Sequence, residues 1–167
     1  MPFDQAHRLV ERTVHLHLAV WCASEPTDHR SARGIGKSRR ADVGAHSCRC
    51  QWKQIGDDIT IMVDINQGWD IPRAMEGARH FEAQNVYWLE DPIDYRDVQG
   101  YSQLVNATDI SITHGEYNYG FEPFGPIADH RAADIFMIDA HHVGGIDAWK
   151  RAADIATSVF RPFVTHL

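Results

Sequence analysis

The chain has 167 residues, enough for one domain with a sizeable core but short of the roughly 250 that a closed (β/α)8 barrel takes. Apolar residues make up 44% and charged residues 23%, as in ordinary soluble globular proteins, and a net charge of −7 argues against nucleic acid, which demands a basic face. No run approaches the roughly 20 apolar residues of a membrane span, and three cysteines do not make a disulfide framework, so no membrane association and a cytoplasmic location are expected.

The first 53 residues differ from the rest. They hold nine Lys and Arg against five Asp and Glu, whereas residues 54–167 hold seven against eighteen, and all three cysteines (Cys22, Cys48, Cys50) fall in the first part. RLVERTVHLHLAVW reads as a helix or as a strand followed by a turn, and its two histidines interrupt the apolar run that a secretion signal needs. Ser24 to Ser47 is polar, Arg-rich and Gly-punctuated, and no secondary structure is expected there. His46, Cys48 and Cys50 with Cys22 lack the two-residue spacing of a zinc site. Residues 1–53 therefore read as an atypical segment, with the signature of a shifted reading frame or of disorder.

From residue 54 the pattern is regular. ITIMVDIN (59–66) is a buried-strand run rich in β-branched residues. Asp70 before Ile71-Pro72 signals a helix start, and Ala74, Met75, Ala78, Phe81 and Ala83 continue it to about Asn85. VYWLEDP (86–92) is the second strand, followed by a helix over about Arg96–Asn106. ISITHGE (110–116) is the third, followed by a Gly/Pro-rich loop and a short helix near Ile127–Ala133. IFMIDAH (135–141) is the fourth, and GIDAWKRAADIATSVF (145–160) is an amphipathic helix with Ile146, Trp149, Ala152, Ile155 and Ala156 on one stripe. PFVTHL (162–167) begins a fifth strand. Repeated strand–helix units with short loops predict right-handed crossovers and a parallel sheet.

Polar residues recur where these strands end. Asp64, Glu90 and Glu116 are spaced by 26 residues each, and Asp139 and His166 continue the series at gaps of 23 and 27. In a parallel βα array the C-terminal strand ends converge on one face, where ligands bind. Four acids and a histidine at the ends of five consecutive strands favour an α/β fold of the (β/α)8 TIM-barrel type over an open sheet. Three carboxylates make a hard-oxygen site suited to Mg²⁺, with Mn²⁺ as a substitute; the plainer alternative is that each acid caps the helix after it. Asp139 and His166, on adjacent strands, could form a carboxylate–imidazole pair able to take a proton from carbon. His141 and His142, as neighbours on a strand, would face opposite sides and suit packing or supporting roles.

The set D-x-N (64–66), W-L-E-D-P (88–92), G-E (115–116), D-x-x-x-x-G-G (139–145) and T-H-L (165–167) resembles the enolase superfamily, in its mandelate racemase/muconate lactonizing enzyme-like branch. The resemblance covers residues 54–167 and implies strands three to seven of a barrel. It implies Mg²⁺ ligands at Asp64, Glu90 and Glu116, a His166 base with Asp139 as its partner, and Asn66, Asp91 and His142 as supporting or substrate-facing groups. The implied chemistry is removal of the proton α to the carboxylate of a sugar acid, as a dehydratase or racemase, in a homo-oligomer. The superfamily's K-x-K motif should lie 25–35 residues before Asp64, where only Lys37 and Lys53 stand, outside any strand pattern. The capping domain and the eighth strand also have no counterpart. The alternative expectation is therefore an inactive barrel fragment or metal-binding remnant, with two unpaired sheet edges that favour association. With no lysine visible, one base leans toward dehydration over racemisation.

Overall fold

The computed structural model describes the backbone of residues 13–17 and residues 60–166 in full. Six strands, β1 (Thr13–His17), β2 (Thr60–Asp64), β3 (Trp88–Glu90), β4 (Ser111–His114), β5 (Ile135–Asp139) and β6 (Phe163–His166), form one sheet in sequence order. Every pairing is parallel. Helices α1 (Ile71–Glu82), α2 (Val98–Ala107), α3 (Phe124–Asp129) and α4 (Ile146–Ser158) follow β2, β3, β4 and β5. This is the succession of a partial (β/α)8 barrel. The five expected strands are present, and β1 resolves the helix-or-strand ambiguity of the N-terminal apolar run in favour of a strand. The rest of the atypical segment, including Ser24–Ser47 and the three cysteines, lies outside the described residues. Among the described residues, no helix is long and apolar enough to cross a membrane.

Alternation along the strands sorts the side chains into two layers. Ile61, Val63, Leu89, Ile112, Phe136 and Ile138 face the helices and pack with Ala74, Ala78, Phe81, Leu104, Ala152 and Ala156 in the main core. The other face carries a smaller cluster of Met62, Trp88, Ile135 and Met137, with Tyr87 and Val164 against it. Alanines on the inward stripes of α1 and α4 let these helices lie close to the sheet. Each fully buried Leu, Ile or Phe in the main core contributes about 1.5–3 kcal/mol of transfer free energy.

Local signals explain most boundaries. Asp70 caps α1 by accepting from the Arg73 amide at 3.0 Å, and Asp97 caps α2 by accepting from the Gly100 amide at 2.8 Å. The short helix sits at Phe124–Asp129, ahead of the expected Ile127–Ala133. Pro126 falls in its first turn, where an amide has no helical partner to lose, so the end of the Gly/Pro stretch that read as loop opens the helix. Arg131, at φ 51°, then turns the chain out of the helix and leaves Ala132 and Ala133 buried.

Candidate functional site

The pleat decides which strand-end groups meet. Asp64 shares its face with Met62, Glu90 with Trp88, Asp139 with Met137, and His166 with Val164. All four therefore stand on the sheet face away from the helices, at the C-terminal ends of their strands. Glu116 lies beyond the end of β4 and reaches the group through Gly115. That residue sits at φ 136°, and a Cβ there would lie 2.5 Å from the Met137 carbonyl oxygen, so only glycine fits the turn.

The three expected metal ligands are buried, with Asp64, Glu90 and Glu116 at 2%, 1% and 5% exposure. Asp64 Oδ1 accepts from the Asn66 amide at 2.7 Å, which places Asn66 (φ 52°) as a brace of the Asp64 turn. Glu90 Oε2 accepts from the Trp88 indole at 3.0 Å. Burial first, then the charges of Asp64, Glu116 and Asp91, push the Glu90 carboxyl up to about 9, against a smaller lowering by the Trp88 hydrogen bond. Glu116 is raised as well, by burial and by Asp91, with His166 opposing. The neighbouring Glu90 carboxyl offsets a small part of that rise.

This donor set fits a hard divalent cation, because positive charge would relieve buried carboxylates that otherwise retain a proton. Thr113, paired in register with Glu90, adds a buried hydroxyl without a hydrogen-bond partner on the same face. Among the described residues, no three His, Cys, Asp or Glu side chains are gathered closely enough to hold an ion as they stand. Capture of an ion therefore calls for side-chain rotation toward it.

His166 joins the two halves of the site. Its Nδ1 donates to Asp139 Oδ2 at 2.9 Å and its Nε2 lies 3.1 Å from Glu116 Oε2. Asp139 Oδ1 accepts in addition from the amides of His141 and His142, at 2.7 and 2.9 Å. Burial alone would raise the Asp139 carboxyl, but the bonds from His166, His142 and His141 outweigh it and hold the group at about 2. Asp139 is thus an ionised acceptor at neutral pH, and it keeps the His166 proton on Nδ1. The imidazole is about one third exposed, with Nε2 lying against Glu116.

The supporting groups are placed differently from the strand-based expectation. β5 ends at Asp139, and His141 and His142 belong to the turn that its carboxylate caps, so strand alternation does not apply to them. His142 Nδ1 donates to the Glu116 carbonyl at 2.7 Å, and its ring lies beside Tyr119. Asp91 is fully buried behind Glu90, toward the helices. Its Oδ1 lies 3.1 Å from the Tyr101 hydroxyl and 3.2 Å from His114 Nδ1, and the Tyr101 and His114 rings stack with centroids 3.8 Å apart.

Several neighbours escaped the sequence reading. Gln67 (φ 60°) joins two loops, its amide donating to the Asp91 carbonyl at 2.6 Å and its Oε1 accepting from the Tyr95 amide at 3.2 Å. Tyr117, pushed up to about 12 by burial and by Glu116, lies next to Glu116 in the chain. The strand before β2 carries His15-Leu16-His17, with no lysine, and His17 pairs in register with Asp64. Its signal was the alternating T-V-H-L-H run, which stands 47 residues before Asp64, beyond the interval in which a strand was sought.

Comparison with known proteins places the chain among relatives. A family profile described as enolase C-terminal domain-like matches residues 4–167. The L-talarate/galactarate dehydratase of Salmonella typhimurium is 35% identical over 112 residues, covering 67% of this chain and 28% of that protein. Muconate cycloisomerase 1-2 of Acinetobacter lwoffii is 29% identical over 122 residues, covering 73% of this chain and 31% of that protein. Among solved structures, L-talarate dehydratase from Polaromonas sp. JS666, complexed with Mg and L-glucarate, superposes with a TM-score of 0.74 at 30% identity, over 100% of this chain and 42% of that one. The chain spans less than a third of either sequence relative's length.

Proposed function

The chain belongs to the enolase C-terminal domain-like family, within the enolase superfamily, and on that footing we propose that it carries a Mg²⁺-dependent site that removes the proton α to the carboxylate of a sugar acid. Asp64, Glu90 and Glu116 would hold the ion, which when bound supplies positive charge beside the substrate carboxylate. The observation that carries the reading is the His166 ring, held on Nδ1 by Asp139 at 2.9 Å with Nε2 against Glu116 at 3.1 Å.

The roles follow from that geometry. With its proton fixed on Nδ1, His166 keeps the Nε2 lone pair for an incoming C–H. Glu116 Oε2 covers Nε2 in this arrangement, and turning Glu116 away exposes the base. The imidazolium that forms is stabilised by ionised Asp139 and can return the proton to a departing β-hydroxyl, which completes a dehydration. Asn66 steadies Asp64, Asp91 adds negative charge behind Glu90, and His142 fixes the Glu116 backbone. The relatives named above include a dehydratase and a cycloisomerase, and dehydration of a sugar acid is the finer reading we favour.

The test is α-proton exchange in ²H₂O, followed by NMR, with the full chain, Mg²⁺ and a panel of sugar diacids. Exchange with at least one substrate, lowered about 10²–10⁴-fold by His166→Asn, is the expected result for a general base. Mg²⁺ binding that Glu90→Gln removes, without exchange on any sugar acid, would instead establish a metal-binding remnant.

A further inference from the structure

The last two residues of β4, Thr113 and His114, point to opposite sides of the sheet, as successive strand residues do. His114 stacks on Tyr101 on the helix side. Thr113 pairs in register with Glu90 on β3 and with Ile135 on β5, and Glu90 pairs in turn with Asp64. Directly paired residues share a face, and neighbouring strands lie about 4.7–4.9 Å apart. Asp64, Glu90 and Thr113 therefore form one row across the face that carries the carboxylates. Glu116 follows Thr113 by three residues, over the Gly115 turn.

Thr113 is fully buried, and among the described residues its Oγ1 has no hydrogen-bond partner. Buried hydroxyls are ordinarily bonded, and one that is not destabilises the fold. The packing of the sheet gains nothing from a hydroxyl here. Ile135 lies on one side of Thr113, and Met62, Trp88 and Met137 cluster on the same face, so the methyl of a valine would suit these neighbours better. The other neighbour, Glu90, has a use for a donor. A carboxylate offers about four lone-pair sites and accepts only, and carboxylates that bind an ion are themselves held by hydrogen bonds. The Trp88 indole supplies one such bond, to Glu90 Oε2. The Thr113 hydroxyl is placed one strand spacing away to supply another.

We propose that Thr113 is a positioning residue of the cation site, its hydroxyl donating to the Glu90 carboxylate when that group turns to hold a divalent ion. The inference rests on the Mg²⁺ reading above and deepens it. The three carboxylates must rotate to gather round an ion, and Thr113 fixes the orientation that Glu90 then takes. Its hydroxyl is a liability to the fold as it stands and an asset to the loaded site. The two states therefore answer with opposite signs to its removal, which a residue serving structure alone would not do.

The experiment compares the full chain with Thr113→Val and Thr113→Ser, by thermal unfolding in EDTA and by calorimetric titration with Mg²⁺. Thr113→Val is expected to raise the unfolding midpoint in EDTA by about 2–4 °C, because a methyl replaces an unbonded buried hydroxyl. The same variant is expected to bind Mg²⁺ about 10–100-fold more weakly. Thr113→Ser keeps the hydroxyl and should bind Mg²⁺ within about threefold of wild type, whatever its midpoint. Thr113→Ala supplies the affinity reading if the valine variant does not fold. A valine or alanine variant that binds Mg²⁺ as tightly as wild type overturns the proposal. So does a serine variant as weak as the valine one, or a valine variant that unfolds at a lower temperature than wild type in EDTA. A wild type that binds no Mg²⁺ overturns the metal reading on which the proposal stands, so the two failures are distinguishable.

Discussion

Glu90→Gln tests the electrostatics of the carboxylate cluster directly, because the exchange keeps the size of the side chain and an oxygen to accept from the Trp88 indole. In the native protein Glu90 retains its proton up to about 9, raised by burial and by Asp64, Glu116 and Asp91. The unfolded chain releases that proton near the ordinary glutamate value. Between these limits the folded state binds more protons than the unfolded state, so stability is fully present at low pH and falls as pH rises toward 9. The slope for one such group is about 1.4 kcal/mol per pH unit, and because its titration is tied to those of the neighbouring carboxylates, about 2–4 kcal/mol is lost between pH 5 and 8. Glutamine titrates nowhere in this range. In EDTA the variant should therefore match wild type near pH 5 and exceed it by about 2–4 kcal/mol at pH 8. With Mg²⁺ the order should invert, since wild type gains binding free energy and the variant has lost a ligand. Urea unfolding at the two pH values, with EDTA and with Mg²⁺, reads all four states. A variant less stable than wild type at pH 8 in EDTA, or one that Mg²⁺ stabilises as well as wild type, would refute the reasoning.

Two other substitutions probe how the site is held. Asp139→Asn removes the charged acceptor from His166 Nδ1, so the α-proton exchange rate should fall about 10²–10⁴-fold. Because native Asp139 is held at about 2, its stabilisation is complete above the ordinary aspartate value and is lost as pH falls from about 4 to 2. The variant's acid unfolding curve should lack that component, about 2 kcal/mol in size. Gly115→Ala forces a Cβ to 2.5 Å from the Met137 carbonyl at a φ of 136°. It should cost about 1–3 kcal/mol in thermal unfolding and weaken Mg²⁺ binding measured by calorimetry, since Glu116 follows directly in the chain.

Much of this was legible in the sequence because it depends on local period. A buried parallel strand is a short β-branched run and an amphipathic helix repeats every 3.6 residues, so ITIMVDIN, IFMIDAH and the stripe from Ile146 to Ala156 announce themselves. The series Asp64, Glu90, Glu116, Asp139 and His166 follows from the same period, since each closes one strand–helix unit. The 2.9 Å His166–Asp139 bond was foreseeable from their adjacent strands. The helix at Phe124–Asp129 was misplaced because Pro126 in a first turn looks like a breaker until the start of the helix is known.

The tertiary structure decided what depends on pairing across the chain. Nothing local distinguishes His166 Nε2 resting 3.1 Å from Glu116 from the same imidazole standing clear of it, because that distance is set by how β4 and β6 flank β5. Asp91 follows Glu90 by one residue, yet it turns toward Tyr101 and His114 on the helix side, since the chain leaves the pleat at φ 35°. His17 shows the division most clearly. T-V-H-L-H reads as a strand or as part of a helix with equal ease, and only its hydrogen-bonded register against β2 sets His17 beside Asp64. Local pattern determined which residues close each strand; the free energy of sheet pairing, summed over partners far apart in the chain, decided which of them share a site.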